Sequence, residues 1–259
     1  MDREWSPLIE PRIKELQQRG SVRVLALDAK GDSRWVGSFT GGRLEERQPL
    51  ALKEIPTQLI QAIVVLEDPR FLEHGGFDVW GILRAALVNL RHLRFSQGGS
   101  TLTQQLVKNV FLTHEKTISR KLTELVLAAL LEKRFSKDEI LQSYLNEVYL
   151  GQLGSVEIHG VGRSAEYYFG KPLAQLELSE VALVAALINS PGLYSPWKNP
   201  DRALTRRNKV LKIMLDRGLI LAEEHDRAVA APLPGPTQYL AATRATYLMD
   251  AVGKKLRED

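Results

Sequence analysis

Apolar positions along this chain change their period near Pro56. Before it, Ser21–Leu27 and Arg34–Phe39 are β-prone runs flanking the turn-rich stretch Asp28–Ser33, which predicts a hairpin. Ahead of them, residues 8–18 place Leu8, Ile9, Ile13 and Leu16 on one side of a short helix. From Pro56 onward nearly every segment has helical spacing. Pro56 sits at a helix start, with Leu59, Ile60, Ile63, Val64 and Glu67 following at three- and four-residue steps. Ser100 can cap a helix over 101–112, Ser136 with Glu139 forms a capping box for 137–149, and Ser179 can cap 180–189. Pro191–Pro200 reads as a rigid loop before a basic helix at 201–217, and the Ala- and Pro-rich tail 230–236 leads to a last helical segment. The pattern predicts a mainly α domain behind a small β-containing N-terminal piece.

Composition narrows the chemistry. The 259 residues are 44% hydrophobic, enough for a globular core in one large domain or two modest ones. Lys and Arg number 35 against 31 Asp and Glu, a formal charge of +4. No recognition motif turns that charge into a nucleic-acid reading, and no nucleic-acid partner is expected. With no cysteine, disulfides, thiolate metal sites and Cys nucleophiles are excluded. The five histidines (74, 92, 114, 159, 225) lack metal-ligand spacing, so no metal site is expected on them. The longest apolar run, Val181–Ile188, has eight residues, against the roughly 18–20 of a membrane span. Met1-Asp2-Arg3-Glu4 lacks the apolar stretch of a signal peptide, so the chain reads as soluble.

Three clusters can carry chemistry. Glu67 shares a helix face with Ile60, Ile63 and Val64, and a partly desolvated carboxylate there suits a general acid or base. A surface pair with Arg70 at i+3 explains the same position, and Asp68 points elsewhere. In Gly98–Asn109, a helix brings Thr101, Gln105 and Lys108 together, with Leu102, Leu106 and Val110 on the opposing side. A glycine pair, a helix N-terminus and an ammonium favour an anion such as phosphate; a solvated polar face is the plainer alternative. In the third cluster Glu124 projects between Arg120 and Lys121, either as two routine ion pairs or as a carboxylate held by cations that also take a diphosphate. Between the first two, Phe77–Phe95 places Val79, Leu83, Ala86, Leu87 and Leu90 on one face, with Arg84 and Arg91 away from it. Such a helix packs on its own core or lies on a membrane surface.

The clusters also occur in a fixed order. Glu67-Asp-Pro-Arg-Phe71-Leu-Glu-His74-Gly-Gly76, then Gln97-Gly-Gly-Ser-Thr-Leu-Thr-Gln-Gln-Leu-Val-Lys-Asn109, then Arg120-Lys-x-x-Glu124 closely resemble the first three motifs of glycosyltransferase family 51. That family is the peptidoglycan glycosyltransferase domain of class A penicillin-binding proteins and of monofunctional transglycosylases. Lys137–Asn146 with Glu147–Gly151, and Arg206–Met214, match two further motifs; Gln142 departs from the family's usual Glu. The resemblance covers about residues 45–220.

It implies a lysozyme-like, mostly helical fold. The chain divides into an N-terminal segment 1–45 with the hairpin, a glycosyltransferase domain over 46–230, and a linker 231–259 toward a transpeptidase domain absent here, whose Ser-x-x-Lys is not expected in the chain. It also implies polymerisation of lipid II with inversion at the donor MurNAc and release of undecaprenyl diphosphate. Glu67 and Glu124 would be catalytic, Glu67 as the base. Ser100, Thr101, Gln105, Lys108, Arg120 and Lys121 would hold the diphosphate and donor. Asp68, Phe71 and His74 would serve the acceptor side, with Asn109, Tyr144 and Asn146 in support. No cofactor is required, although Mg²⁺ or Mn²⁺ could accompany the diphosphate. Lipid II, the growing glycan and a membrane surface met near residues 77–95 are the expected partners. The expected location is the periplasmic face of the bacterial inner membrane, on a chain without its transmembrane anchor, with moenomycin as inhibitor. A lysozyme-like hydrolase and a non-enzymatic lipid II scaffold are the rival readings.

Overall fold

A computed structural model describes residues 22–27, 33–40 and 43–47 as strands, and residues 48–81, 99–112, 117–153 and 156–237. The helix read over 8–18, most of the amphipathic segment 77–95 and the helical segment after 237 lie outside the described residues.

The hairpin forms as read. Strands β1 (Val22–Leu27) and β2 (Ser33–Thr40) pair antiparallel, from Val22 opposite Phe39 to Leu27 opposite Ser33. β3 (Arg43–Arg47) continues antiparallel from β2. Two later strands correct the reading that the chain is helical after Pro56. β4 (Tyr149–Leu153) and β5 (Val156–His159) form a second antiparallel pair, and β5 lies parallel to β3, Arg47 opposite His159. The five-stranded order β1-β2-β3-β5-β4 therefore runs through the expected boundary at residues 45 and 46. A parallel pair needs a long crossover, and the chain between β3 and β5, with four helices among its described residues, provides it.

Those helices are α1 (Thr57–Glu67), α2 (Leu102–Phe111), α3 (Ile118–Arg134) and α4 (Lys137–Glu147). After the sheet come α5 (Val161–Phe169), α6 (Leu178–Asn189), α7 (Pro200–Asp216) and α8 (Ala222–Ala230). The apolar run Val181–Ile188 forms most of α6, buried nearly all round, as a helix without a polar face must be. It packs against α1, α5, α7, α8 and β4, so its C-terminal end reaches the middle of the domain. Among the described residues no helix is long and apolar enough to cross a membrane.

Pro56 does precede α1, and Ser136 caps α4 with its hydroxyl and backbone N–H both bound to the Glu139 carboxylate at 2.8 Å. Two caps shift. Thr101, not Ser100, caps α2, accepting the Gln104 N–H at 3.2 Å. Ser179 is buried inside α6; Glu177 precedes that helix, and its N–H donates to the Glu180 carboxylate at 2.8 Å. The carboxylate at the third helical position thus satisfies the N–H just before the helix, where a serine cap would have accepted an N–H of its first turn. Gln142 and Asn146, one turn apart on α4, clasp the segment before α1. Leu52 N–H donates to Gln142 Oε1 at 2.8 Å, and Asn146 bonds both the N–H and the carbonyl of Leu50. Gln142 keeps an acceptor oxygen where the resembling family has Glu, so the change preserves this clasp.

Candidate active site

The C-terminus of α1, the N-terminus of α2 and the cleft face of α7 meet at the end of α6. They enclose a cavity of about 950 Å³ lined by Glu67, Asp68, Ser100, Thr101, Gln105 and Lys108, with Asn189, Tyr194, Arg206, Lys209 and Arg217.

Glu67 ends α1 half-buried, and the surface pairing with Arg70 does not occur. Arg70 binds Glu73 (2.8 Å) and Asp78 (3.2 Å) instead, which raises its pKa. Glu67 Oε2 accepts a hydrogen bond from Gln105 Nε2 at 3.0 Å, and Gln105 Oε1 accepts the Tyr144 hydroxyl at 3.1 Å. Burial above all, then the negative charges of Glu67 and Asp68, pushes the Tyr144 pKa well up, so that hydroxyl stays protonated.

Asp68 does point elsewhere, as a buried tie between loop and helix. It faces His74 Nε2 at 2.9 Å and accepts the Leu102 N–H at 3.0 Å, placing a carboxylate at the N-terminus of α2. His74 Nδ1 accepts the Gly76 N–H at 3.2 Å, leaving Nε2 as the nitrogen that donates to Asp68. Gly76 itself has φ +96°, and a Cβ there would stand 2.7 Å from the Ala128 backbone, so only glycine lets this loop lie on α3. Its carbonyl accepts from the Thr101 hydroxyl (2.8 Å) and Gln104 Nε2 (3.2 Å). Phe71 is buried in the core with Lys137 Nζ 4.5 Å from its ring centroid and His74 edge-on. Neither Phe71 nor His74 lines the cavity; both pack within the loop that follows Glu67.

Lys108 lines the cavity, exposed and without an ion-pair partner among the described residues. Asn109, beside it, faces solvent. The third cluster folds as drawn from sequence but stands behind the cleft wall. Glu124 is only 2% exposed, binding Arg120 at 2.8 Å and Lys121. Lys121 also donates to Ser100 Oγ at 2.9 Å and Gln104 Oε1 at 3.2 Å, which couples this cluster to the start of α2. Arg120 Nε is buried with no partner.

Sequence reasoning left three cations out of the site. Arg206, Lys209 and Arg217 on or just past α7 line the same cavity, and Arg206 lies 5.6 Å from the Tyr194 ring centroid. The Arg206–Met214 motif carried the signal, because residues 206, 209 and 213 fall on one helix face. Arg207, next to them, points the other way and is buried, donating to the carbonyls of Val229 (2.9 Å) and Ala231 (2.7 Å) at the end of α8. One Ser-x-x-Lys does occur, contrary to expectation. Ser195-Pro-Trp-Lys198 lies in the turn-rich loop before α7, where Ser195 is buried and accepts the Lys198 N–H. No group of three or more His, Cys, Asp or Glu among the described residues could hold a metal.

A half-buried carboxylate beside cations that have no ion-pair partner among the described residues makes this cleft suited to an anionic ligand. The transglycosylase family model matches residues 32–215, and the chain belongs to that family, an enzyme class that includes the peptidoglycan glycosyltransferase domain its motifs resemble. Penicillin-binding protein 1A of Aquifex aeolicus is 46% identical over 206 residues, 80% of this chain and 27% of that protein. Penicillin-binding protein 1B of Haemophilus influenzae is 44% identical over 189 residues, 73% and 24% of the two chains. Penicillin-binding protein 1B of Vibrio cholerae is 39% identical over 247 residues, 95% and 31%. The chain thus spans about a quarter to a third of these relatives. The crystal structure of penicillin-binding protein 1A from H. influenzae superposes with a TM-score of 0.47 at 24% identity, over 85% of this chain and 22% of that one.

Proposed function

We propose that this domain extends peptidoglycan glycan strands by polymerising lipid II, with inversion at the donor MurNAc carbon and release of undecaprenyl diphosphate. The observation that carries this reading is the shared cavity, which presents the Glu67 carboxylate together with Lys108, Arg206 and Lys209. A sugar hydroxyl is a poor nucleophile, so Glu67 takes the proton of the acceptor GlcNAc 4-hydroxyl as it attacks. The leaving diphosphate needs positive charge, which Lys108 supplies in the cleft, with Arg120 and Lys121 adding to the field behind Ser100. Arg206 and Lys209 on another wall suit the phosphates of a second lipid-linked substrate. Mg²⁺ or Mn²⁺ would arrive as a counterion of the diphosphate; the side chains here do not form a metal-binding set, and no step runs through one.

A glycan hydrolase is less well supported, because it works with a pair of carboxylates flanking the bond. The other acids of the cleft are committed: Asp68 to His74 and Leu102, Asp78 to Arg70, Asp216 to Lys212. In the proposed setting the domain works on the periplasmic face of the inner membrane. Exposed Leu72, Phe77, Val79 and Trp80, beside the cleft residue Asp78, meet the lipid surface.

The test is incubation of the purified chain with labelled lipid II in detergent and separation of products on a gel. A ladder that moenomycin suppresses is expected. Cleavage of preformed glycan without any ladder would establish the hydrolase instead, and binding without turnover would leave a scaffold.

A further inference from the structure

We infer that Tyr144 is a positioning residue for the base, acting through the Gln105 side-chain amide to fix which oxygen of Glu67 meets the acceptor hydroxyl. This rests on Glu67 being the base of the proposed reaction.

Three helices meet in one line of hydrogen bonds. Tyr144 on α4 donates to Gln105 Oε1 at 3.1 Å, and Gln105 on α2 donates to Glu67 Oε2 on α1 at 3.0 Å. Only one polarity satisfies all three groups. Turning the amide over would set its oxygen against the carboxylate, two acceptors face to face, and would give Tyr144 an N–H it could meet only by losing its donor role. Tyr144 is fully buried and keeps its proton, so it serves as a fixed donor and does not compete for the acceptor's proton. With Oε2 held, Oε1 accepts no hydrogen bond from any described residue and is the oxygen left for the substrate. Tyr144 thus carries the packing of α4 to the reacting carboxylate through one N–H of the Gln105 amide.

A purely structural Tyr144 would also be buried, so the variant must keep the ring. Tyr144→Phe fills the same space without the donor. The expected result is a fall in kcat of roughly tenfold or more, with KM for lipid II nearly unchanged and the thermal transition retained. Gln105→Ala should lower kcat similarly, and Tyr144→Phe in the Gln105→Ala background should lower it no further. Wild-type kcat in Tyr144→Phe overturns the inference, as do losses that multiply in the double variant.

A second readout needs no turnover: NMR titration of the ¹³C-labelled Glu67 carboxyl. Losing an aligned N–H donor disfavours the carboxylate form, so Tyr144→Phe should raise the midpoint, and an unmoved midpoint overturns the inference. The groups facing that carboxyl are otherwise unchanged: Asp68 beside it, Lys108 from α2, and Arg206 and Lys209 from α7. If the wild-type chain yields no ladder, the proposed function fails while the titration still decides the role of Tyr144.

Discussion

The end of α1 and the first turns of α3 each hold one glutamate, and the two are partnered in opposite ways. Glu67 is half-buried, held on one side by a neutral amide, with the other oxygen open to the cleft. Glu124 is buried, with one oxygen on Arg120 and the other on Lys121. A carboxylate bound by two cations has both oxygens engaged, whereas one anchored by a single amide keeps an oxygen for a substrate. Glu124 neutralises the two cations that stand together behind the cleft wall. The lesson is that membership of a motif does not fix a carboxylate's role; the charge of its partners does.

The largest effect that separates the two is on turnover. Glu67→Gln should reduce lipid II polymerisation by about 10²–10⁴-fold, the usual value of a general base, while the thermal transition stays near wild type. Turnover retained on the gel would remove Glu67 as the base. Glu124→Gln should act first on stability. Removing the carboxylate leaves Arg120 and Lys121 facing each other, at a cost of about 1.5–3 kcal/mol in urea unfolding, moderated because Lys121 is 41% exposed. Glu124→Gln with wild-type stability and no activity would reverse the assignment and make Glu124 the chemical group.

Much of this arrangement was legible because it is local. The i+3 and i+4 steps from Arg120 and Lys121 to Glu124, the Ser136–Glu139 box and the hairpin turn are all contained within about six residues of chain. What stayed hidden depends on distant partners. Tyr149–Leu153 and Val156–His159 lie between helical stretches, and β5 becomes a sheet member by pairing with β3 more than a hundred residues earlier. Arg206, Lys209 and Arg217 look like a solvated basic face until α7 packs against α1 and α6 and turns them into the cleft. Phe71 and His74 share a motif with Glu67, yet their side chains are buried beside the loop and not among those lining the cavity. Sequence spacing gives the face of a helix but not what that face will meet.

Lys108 tests the cleft side of the comparison at smaller scale. It has no ion-pair partner among the described residues, so Lys108→Ala should leave stability within about 0.5 kcal/mol. Donor affinity should fall by about tenfold, the loss of one charge-assisted contact. Unchanged affinity in a binding assay with a donor analogue would sink its assignment to the diphosphate.

Glu139 extends the comparison to a solvent-facing carboxylate and carries the smallest effect. Hydrogen bonds from the Ser136 N–H and hydroxyl hold its pKa below the ordinary 4.5. A depressed carboxylate contributes stability that is present above its unfolded pKa and lost as pH falls through the folded one. Ser136→Ala should therefore cost about 1 kcal/mol at neutral pH. Urea midpoints should show the gap to wild type narrowing on acidification below pH 4.5, because protonated Glu139 no longer draws on the hydroxyl. The gap should not close, since Ser136 Oγ also accepts the Glu139 N–H at 3.3 Å whatever the charge of the side chain. A gap independent of pH would mean that the charge of this exposed carboxylate contributes nothing to the cap.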